Sequence, residues 1–180
     1  VILPTDTVYG LAACAHHQAA VRRLFEAKRR PYKRALPILL PGIEHLADVV
    51  AYVSPTALAL AQAFWPGPLT LVLPRSQQVA DWVTSGKDTV GVRVPDDPTA
   101  LRILARSPFL VAVTSANLSD EPTPITGEAC AADLAAPVAL VIEDGPRPNR
   151  ASTVVAVEGD TLRVLRHGPL SEKDLRAALR

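Results

Sequence analysis

The chain has 180 residues, of which 48% are hydrophobic and 21% charged, enough for one domain with its own core and unlike a disordered segment or a coiled coil. Nineteen basic residues against 18 acidic ones leave a formal charge of +1, which excludes a histone-like polycation but not a local basic patch. No apolar run approaches the ~20 residues of a membrane span, and the two cysteines, Cys14 and Cys130, form neither a CxxC pair nor a disulfide framework, so a cytoplasmic setting is expected.

The sequence contains no Met, shows no signal peptide and opens on an apolar residue, so we expect it to start inside a first strand, Val1 to Leu3, with part of the native N-terminus missing. The segment Pro4-Thr5-Asp6-Thr7-Val8-Tyr9-Gly10-Leu11 follows as a polar loop leading into an Ala-rich helix. Small hydroxyls at a strand end are where open α/β sheets place ligands, although these residues taken alone favour an Asx or ST turn that only satisfies its own backbone. His17 to Arg30 reads as a helix with Val21, Leu24 and Phe25 on one face. Ser54-Pro55 is a cap and first-turn signal for a second helix carrying Leu58, Ala61 and Phe64, stopped by Pro66-Gly67-Pro68.

Leu69 to Leu73 and Thr89 to Val94 read as buried strands, and Asp97-Pro98 opens a helix carrying Leu101, Ile103 and Leu104. Further strands are expected at Phe109 to Val113, Val138 to Ile142, Thr153 to Val157 and Thr161 to Leu165. Ser171 with Asp174 starts a last helix at Leu175 to Leu179. Prolines number 17, about twice the usual ~5% share, and fall between apolar runs as turns. With no repeat and no composition shift, the pattern predicts a single α/β domain over 1–180, with a twisted mixed sheet that is partly antiparallel.

Arg22, Arg23, Lys28, Arg29, Arg30, Lys33 and Arg34 against Glu26 give this stretch a local charge of +6. It is either a solvated helix end complementing the dipole or a fixed anion site, since Arg30-Pro31 forces an extended loop after it. Both Lys28 and Arg30 are expected on an exposed helix end. Arg93 ends an apolar run, as an internal ion pair or a ligand contact, and Thr114-Ser115-Ala116-Asn117-Leu118-Ser119 follows another strand. Several polar strand ends together favour one convergent site. No GxxxxGK[ST], GxGxxG or GxSxG occurs, and His16, His17, His45 and His167 lack zinc-ligand spacing with the cysteines, so no resident metal is expected. Positioning and cationic charge stabilisation suit these residues better than a nucleophile.

Six ordered segments, Pro4 to Leu11, Lys28-Arg29-Arg30-Pro31, Trp65 to Thr70, Val90 to Pro95, Ser115 to Ser119 and Ser152-Thr153-Val154, resemble the YrdC-like threonylcarbamoyl-AMP synthases in their short bacterial form, over nearly the whole chain. The resemblance implies a twisted open mixed sheet with helices around a concave, basic cavity. It implies a nucleotidyltransferase that joins L-threonine, bicarbonate or CO2 and ATP into threonylcarbamoyl-AMP with release of pyrophosphate, Mg²⁺ accompanying the ATP. That product serves N6-threonylcarbamoyladenosine modification of tRNA by a separate transferase complex. By the same resemblance, Thr7, Arg93, Val113 (through its backbone) and Ser152 would hold L-threonine. Lys28 and Arg30 would meet the ATP phosphates as catalytic groups, with Thr89, Ser115, Asn117, Thr123 and Arg166 around the nucleotide.

The chain departs from the family pattern at Asp120 for Gly, Thr123 for Ser and His167 for Pro, and has Arg34 and Leu39 where longer relatives have Asn and His. An RNA-binding module without synthase activity, contacting tRNA or double-stranded RNA, is the alternative, weakened by an aromatic content of 4%. The related domains of hydrogenase maturation and carbamoyltransferase proteins belong to larger chains, and a paralogue group departs from the Lys-x-Arg-Pro pattern that is intact here.

Overall fold

Side chains alternate between the two faces of a strand, and here that alternation divides one sheet into a covered face and a bare one. A computed structural model describes residues 1–180. Its strands are β1 (Ile2–Leu3), β2 (Gly10–Cys14), β3 (Ile38–Leu39), β4 (Leu69–Pro74), β5 (Thr89–Arg93), β6 (Val111–Ser115), β7 (Thr153–Glu158) and β8 (Thr161–Arg166). They form a single mixed sheet in the order β1-β2-β6-β3-β5-β4-β7-β8. Pairing is parallel between β3 and β5 and between β4 and β7, and antiparallel elsewhere.

On the covered face, Ile38, Leu69, Leu71, Leu73, Val90, Val92, Ala112 and Val155 are all at most 1% exposed. They share one core with Val21, Leu24 and Phe25 of α1 (Gln18–Ala27), Leu46 and Val49 of α2 (Leu46–Val49), and Ala57, Leu60 and Ala61 of α3 (Pro55–Phe64). Val83 of α4 (Asp81–Thr84), Cys130 of α6 (Gly127–Asp133) and Leu175 of α7 (Glu172–Ala177) complete it. Each large apolar side chain so buried contributes about 1.5–3 kcal/mol before entropy is counted. At the opposite face, α5 (Pro98–Arg106) presses Leu104 against Leu39, Val111 and Val113, so it roofs only one end of the sheet.

The helix starts follow the expected chemistry: Ser54 accepts from Ala57 N at 3.2 Å, Asp97 from Ala100 N at 2.8 Å, and Ser171 with Asp174 forms a full capping box. The end of α1 differs. Arg30 N bonds to Phe25 O at 2.8 Å and Arg29 N to Glu26 O at 3.0 Å, with Arg29 at φ 49°, so a Schellman turn closes the helix at Ala27. The helix expected to reach Arg30 therefore stops short, and α7 lies earlier than Leu175–Leu179.

Other expectations change for tertiary reasons. The segment after Gly10 is strand β2, because β1 and β6 pair with it from both sides and override the alanine propensity. Val138–Ile142 is not a strand; it makes a single bridge, Ile2 to Val141, beside a β1 only two residues long. β6 begins at Val111, after the 47%-exposed Phe109. The short elements β3, α2, α4 and α6 were not expected, since so few residues carry little periodicity. No helix is long and apolar enough to cross a membrane.

Gly168 packs against the start of β7, where a Cβ would lie 2.3 Å from Thr153 N, 2.5 Å from Ser152 C and 2.6 Å from Ala151 O. These neighbours are backbone and cannot swing aside. Gly168→Ala is expected to destabilise the fold by about 1–3 kcal/mol, read as a lowered urea midpoint. An unchanged midpoint would show that this crossing is not close-packed.

Candidate active site

The bare face of the sheet floors a cavity of about 790 Å³. Registers explain its lining: Gly10 pairs with Ser115, Val72 with Gly91 and Ala156, Pro74 with Thr89, and Thr70 with Val154, all on the same side. The floor is thus made of small, hydroxyl-bearing or apolar side chains, while the bulky residues point into the core. In β8, Val164 pairs with Val155 but Arg166 with Val154, leaving Leu165 as an extra residue. Strict alternation would turn Arg166 away from Arg163; this bulge re-aims it, and Arg163, Leu165 and Arg166 all line the cavity.

Five cations, Arg30, Lys87, Arg93, Arg163 and Arg166, line the cavity with a single carboxylate, Glu158. Arg93 is 6% exposed. Its Nε donates to Gly67 O at 2.9 Å, Nη1 to Thr7 Oγ1 at 2.8 Å, and Nη2 to Asp6 Oδ1. Asp6 Oδ1 also accepts from Asp96 N at 3.0 Å. Burial lowers the Arg93 pKa, and Asp6 opposes that shift. A guanidinium has five N–H groups, so two remain, one on each terminal nitrogen, for a ligand. The ion pair and the ligand contact, alternatives in the sequence, are both available to this one side chain.

Thr5 supplies the ST turn: its Oγ1 donates to Val8 O at 2.6 Å and accepts from Thr7 N and Val8 N at 3.3 Å. That turn delivers Thr7 to Arg93. Across the sheet, Ser152 Oγ and Thr70 Oγ1 share a hydrogen bond of 2.8 Å. Arg166 folds over the same residue, donating from Nε and Nη2 to Ser152 O at 3.1 and 2.9 Å, and desolvation lowers its pKa. Arg30 donates from Nε to Arg34 O at 3.1 Å and from Nη2 to Ala35 O at 2.9 Å, leaving Nη1 unbonded. Burial, then neighbouring Arg34, pushes its pKa down to about 10, so it stays charged at neutral pH.

Of the residues singled out in the sequence, Thr7, Arg30, Thr89, Arg93, Val113, Ser115, Ser152 and Arg166 line this one cavity. Lys28, Asn117 and Thr123 are buried outside its lining. The expectation that Lys28 and Arg30 lie on an exposed helix end is corrected: Lys28 is still helical, in phase with Val21, Leu24 and Phe25, and is 1% exposed against the segment after β6, while Arg30 lies past the helix end and is half-buried. Val113 N is already bonded to Pro37 O at 2.9 Å. Sequence reasoning missed Lys87 and Arg163. The signal for Lys87 was its two-residue phase with Thr89, Gly91 and Arg93; the β8 bulge hid the relation between Arg163 and Arg166. No three His, Cys, Asp or Glu side chains come together in a way that could hold a metal ion.

An open mixed sheet with one face under helices and the other bare, cationic and hydroxyl-lined defines an α/β fold suited to anionic ligands. Residues 1–168 match the Sua5_yciO_yrdC family model, described as "Telomere recombination", and the chain belongs to this family. It is 37% identical over 181 residues to the threonylcarbamoyl-AMP synthase of Bacillus subtilis, covering 99% of this chain and 52% of that protein. The structure of Pyrococcus abyssi Sua5 complexed with L-threonine superposes with a TM-score of 0.92 at 38% identity, covering 98% of this chain and 52% of that one. The threonylcarbamoyl-AMP synthase of Vibrio cholerae is 34% identical over 167 residues, covering 92% of this chain and 88% of that protein. The chain thus spans about half the length of the first two relatives.

The Arg93–Asp6 pair has side chains 7% and 15% exposed. Asp6→Asn would keep the shape and strand a buried cation, and is expected to destabilise the fold by about 3–5 kcal/mol. Chemical denaturation checks this; a change below about 1 kcal/mol would mean that Thr7 and Gly67 O suffice for Arg93.

Proposed function

We propose that this chain carries the synthase that forms threonylcarbamoyl-AMP and pyrophosphate from L-threonine, bicarbonate or CO2, and ATP. The observation that carries the reading is two anion sites in one cavity. Arg93 has two N–H groups left beside Thr7, close to what an amino-acid carboxylate needs, and Arg30 and Arg166 each leave Nη1 unbonded. The names of the relatives, and L-threonine in the Pyrococcus abyssi complex, support the same reading. They do not favour an RNA-binding module without synthase activity.

In this reading Arg93 grips the threonine carboxylate as a fork, with Thr7 and Ser152 fixing the rest of the amino acid. The threonine amine, as the free base, forms an N–C bond to CO2 and gives up a proton to solvent, or with bicarbonate releases water, to become a carbamate. A carbamate oxygen then attacks the α-phosphorus of ATP as the bond to pyrophosphate breaks. The leaving group carries the growing negative charge, and Arg30 and Arg166 stabilise it from preset positions, with the Thr89 and Ser115 hydroxyls orienting the nucleotide. Mg²⁺ belongs to the substrate as the ATP chelate. The adenylate is a mixed anhydride, so it needs a transferase as consumer; we propose a threonylcarbamoyl transferase complex acting on tRNA in the cytoplasm, with tRNA or double-stranded RNA as a further contact.

Pyrophosphate release measured with ATP and bicarbonate should require threonine and proceed poorly but detectably with serine. One methyl group is worth about 1–3 kcal/mol of discrimination. Arg30→Ala should lower turnover about tenfold or more. Arg93→Lys, which keeps the charge beside Asp6 but loses the fork, should weaken threonine binding with ATP binding nearly unchanged. Release that ignores the amino acid would sink this function.

A further inference from the structure

Lys28 and Arg30 are two residues apart and face different surroundings. The Lys28 Nζ is enclosed by Ser115 O at 2.5 Å, Asn117 O at 2.6 Å and Asn117 Oδ1 at 3.0 Å. An ammonium has three N–H groups, and three oxygens take them all. None is left for a phosphate, and the side chain lies outside the cavity lining.

The same contacts knot the segment after β6 to the end of α1. Ser119 N bonds to Lys28 O at 2.9 Å, Leu118 N to Asp133 Oδ2 at 3.1 Å, and Asn117 Nδ2 to Leu118 O and Glu121 O at 2.7 and 2.5 Å. Ser115, at the head of this segment, does line the cavity. We propose that Lys28 is a positioning residue of the nucleotide site, holding Ser115 and the turn through Asn117 from behind without touching the ATP phosphates. This rests on the reading that the cavity takes ATP, and it reassigns a residue that the sequence pattern puts on the phosphates.

The groups facing Lys28 are Arg30 on its own segment, Asp133 and Cys130 of α6, and Asp120 after β6. Burial first, then Arg30, pushes the Lys28 pKa down from 10.5 to about 8, against the pull of Asp133. With the folded pKa below the unfolded one, the unfolded chain binds more protons between about pH 8 and 10.5, so this group adds stability as pH rises through that window. The neutral amine, however, offers two N–H groups to three oxygens, so the turn loosens. Nucleotide affinity should fall through pH 8 while the contribution of Lys28 to stability rises, a split that a merely structural lysine would not produce.

The test is a double-mutant cycle on ATP affinity by calorimetry at pH 7. Lys28→Met alone should weaken ATP binding tenfold or more, but less than about threefold when made on Asn117→Ala, because both variants undo the same turn. Losses that multiply, or no loss from Lys28→Met alone, would overturn the assignment. Should the Met variant fail to fold, the wild-type protein decides: saturating ATP should shift the Ser115 backbone resonance and leave the Lys28 ammonium resonance nearly unmoved, and a Lys28 ammonium shifted as strongly as Ser115 would refute the positioning role. Wild-type protein that binds no ATP would defeat the functional reading, whereas ATP binding that Lys28→Met leaves unchanged would defeat the positioning role alone.

Discussion

A guanidinium buried in a sheet must find oxygens for its N–H groups, and two separate stretches of this chain are folded to supply them to Arg93. Gly67 offers a backbone carbonyl from the turn between α3 and β4, and Thr7 and Asp6 come from the loop between β1 and β2. Asp6 then reaches on to Asp96 N, beyond the end of β5. Without these partners, burial of the charge would oppose folding by several kcal/mol. With them, Arg93 becomes the joint that sets the loop, the turn and the strand in one relation, and it lines the cavity.

The joint is useful because of the sheet on which it sits. One face is filled by Val, Leu and Ile under helices, and those contacts supply most of the burial energy. The other face is left with Gly, Thr, Ser, Val and Ala, and α5 covers only one end of it. Small residues there leave room for a ligand. Cations can then approach from the rims, Arg30 from the loop after α1 and Arg166 from the bulge in β8, without being forced into the core.

The end of α1 shows how one turn separates two roles. Lys28 is still helical and continues the buried face of Val21, Leu24 and Phe25, and the left-handed Arg29 then takes Arg30 off that face. Lys28 turns inward onto carbonyl oxygens, and Arg30 turns to the cavity. Nearby, Asp120 has φ 71° at the position where the family pattern has glycine, and its carboxylate meets Arg34 at 2.7 Å. The pair is exposed and adds little stability, but it links the basic loop to the segment that Lys28 holds.

By itself the sequence determined the longer elements and the character of the site. Strands β4, β5, β7 and β8 and helices α3 and α5 were legible because caps, prolines and apolar period are local signals. Thr7, Arg93 and Ser115 were legible as polar residues at strand ends, and Ser152 through the family resemblance. The tertiary structure decided what depends on partners distant along the chain: that an alanine-rich segment is strand β2, that Val138–Ile142 is not a strand, and that Arg163 lines the cavity beside Arg166. The physical reason is the same in each case. Pairing between strands or a bulge changes where a side chain points, and no local propensity records the partner that requires it.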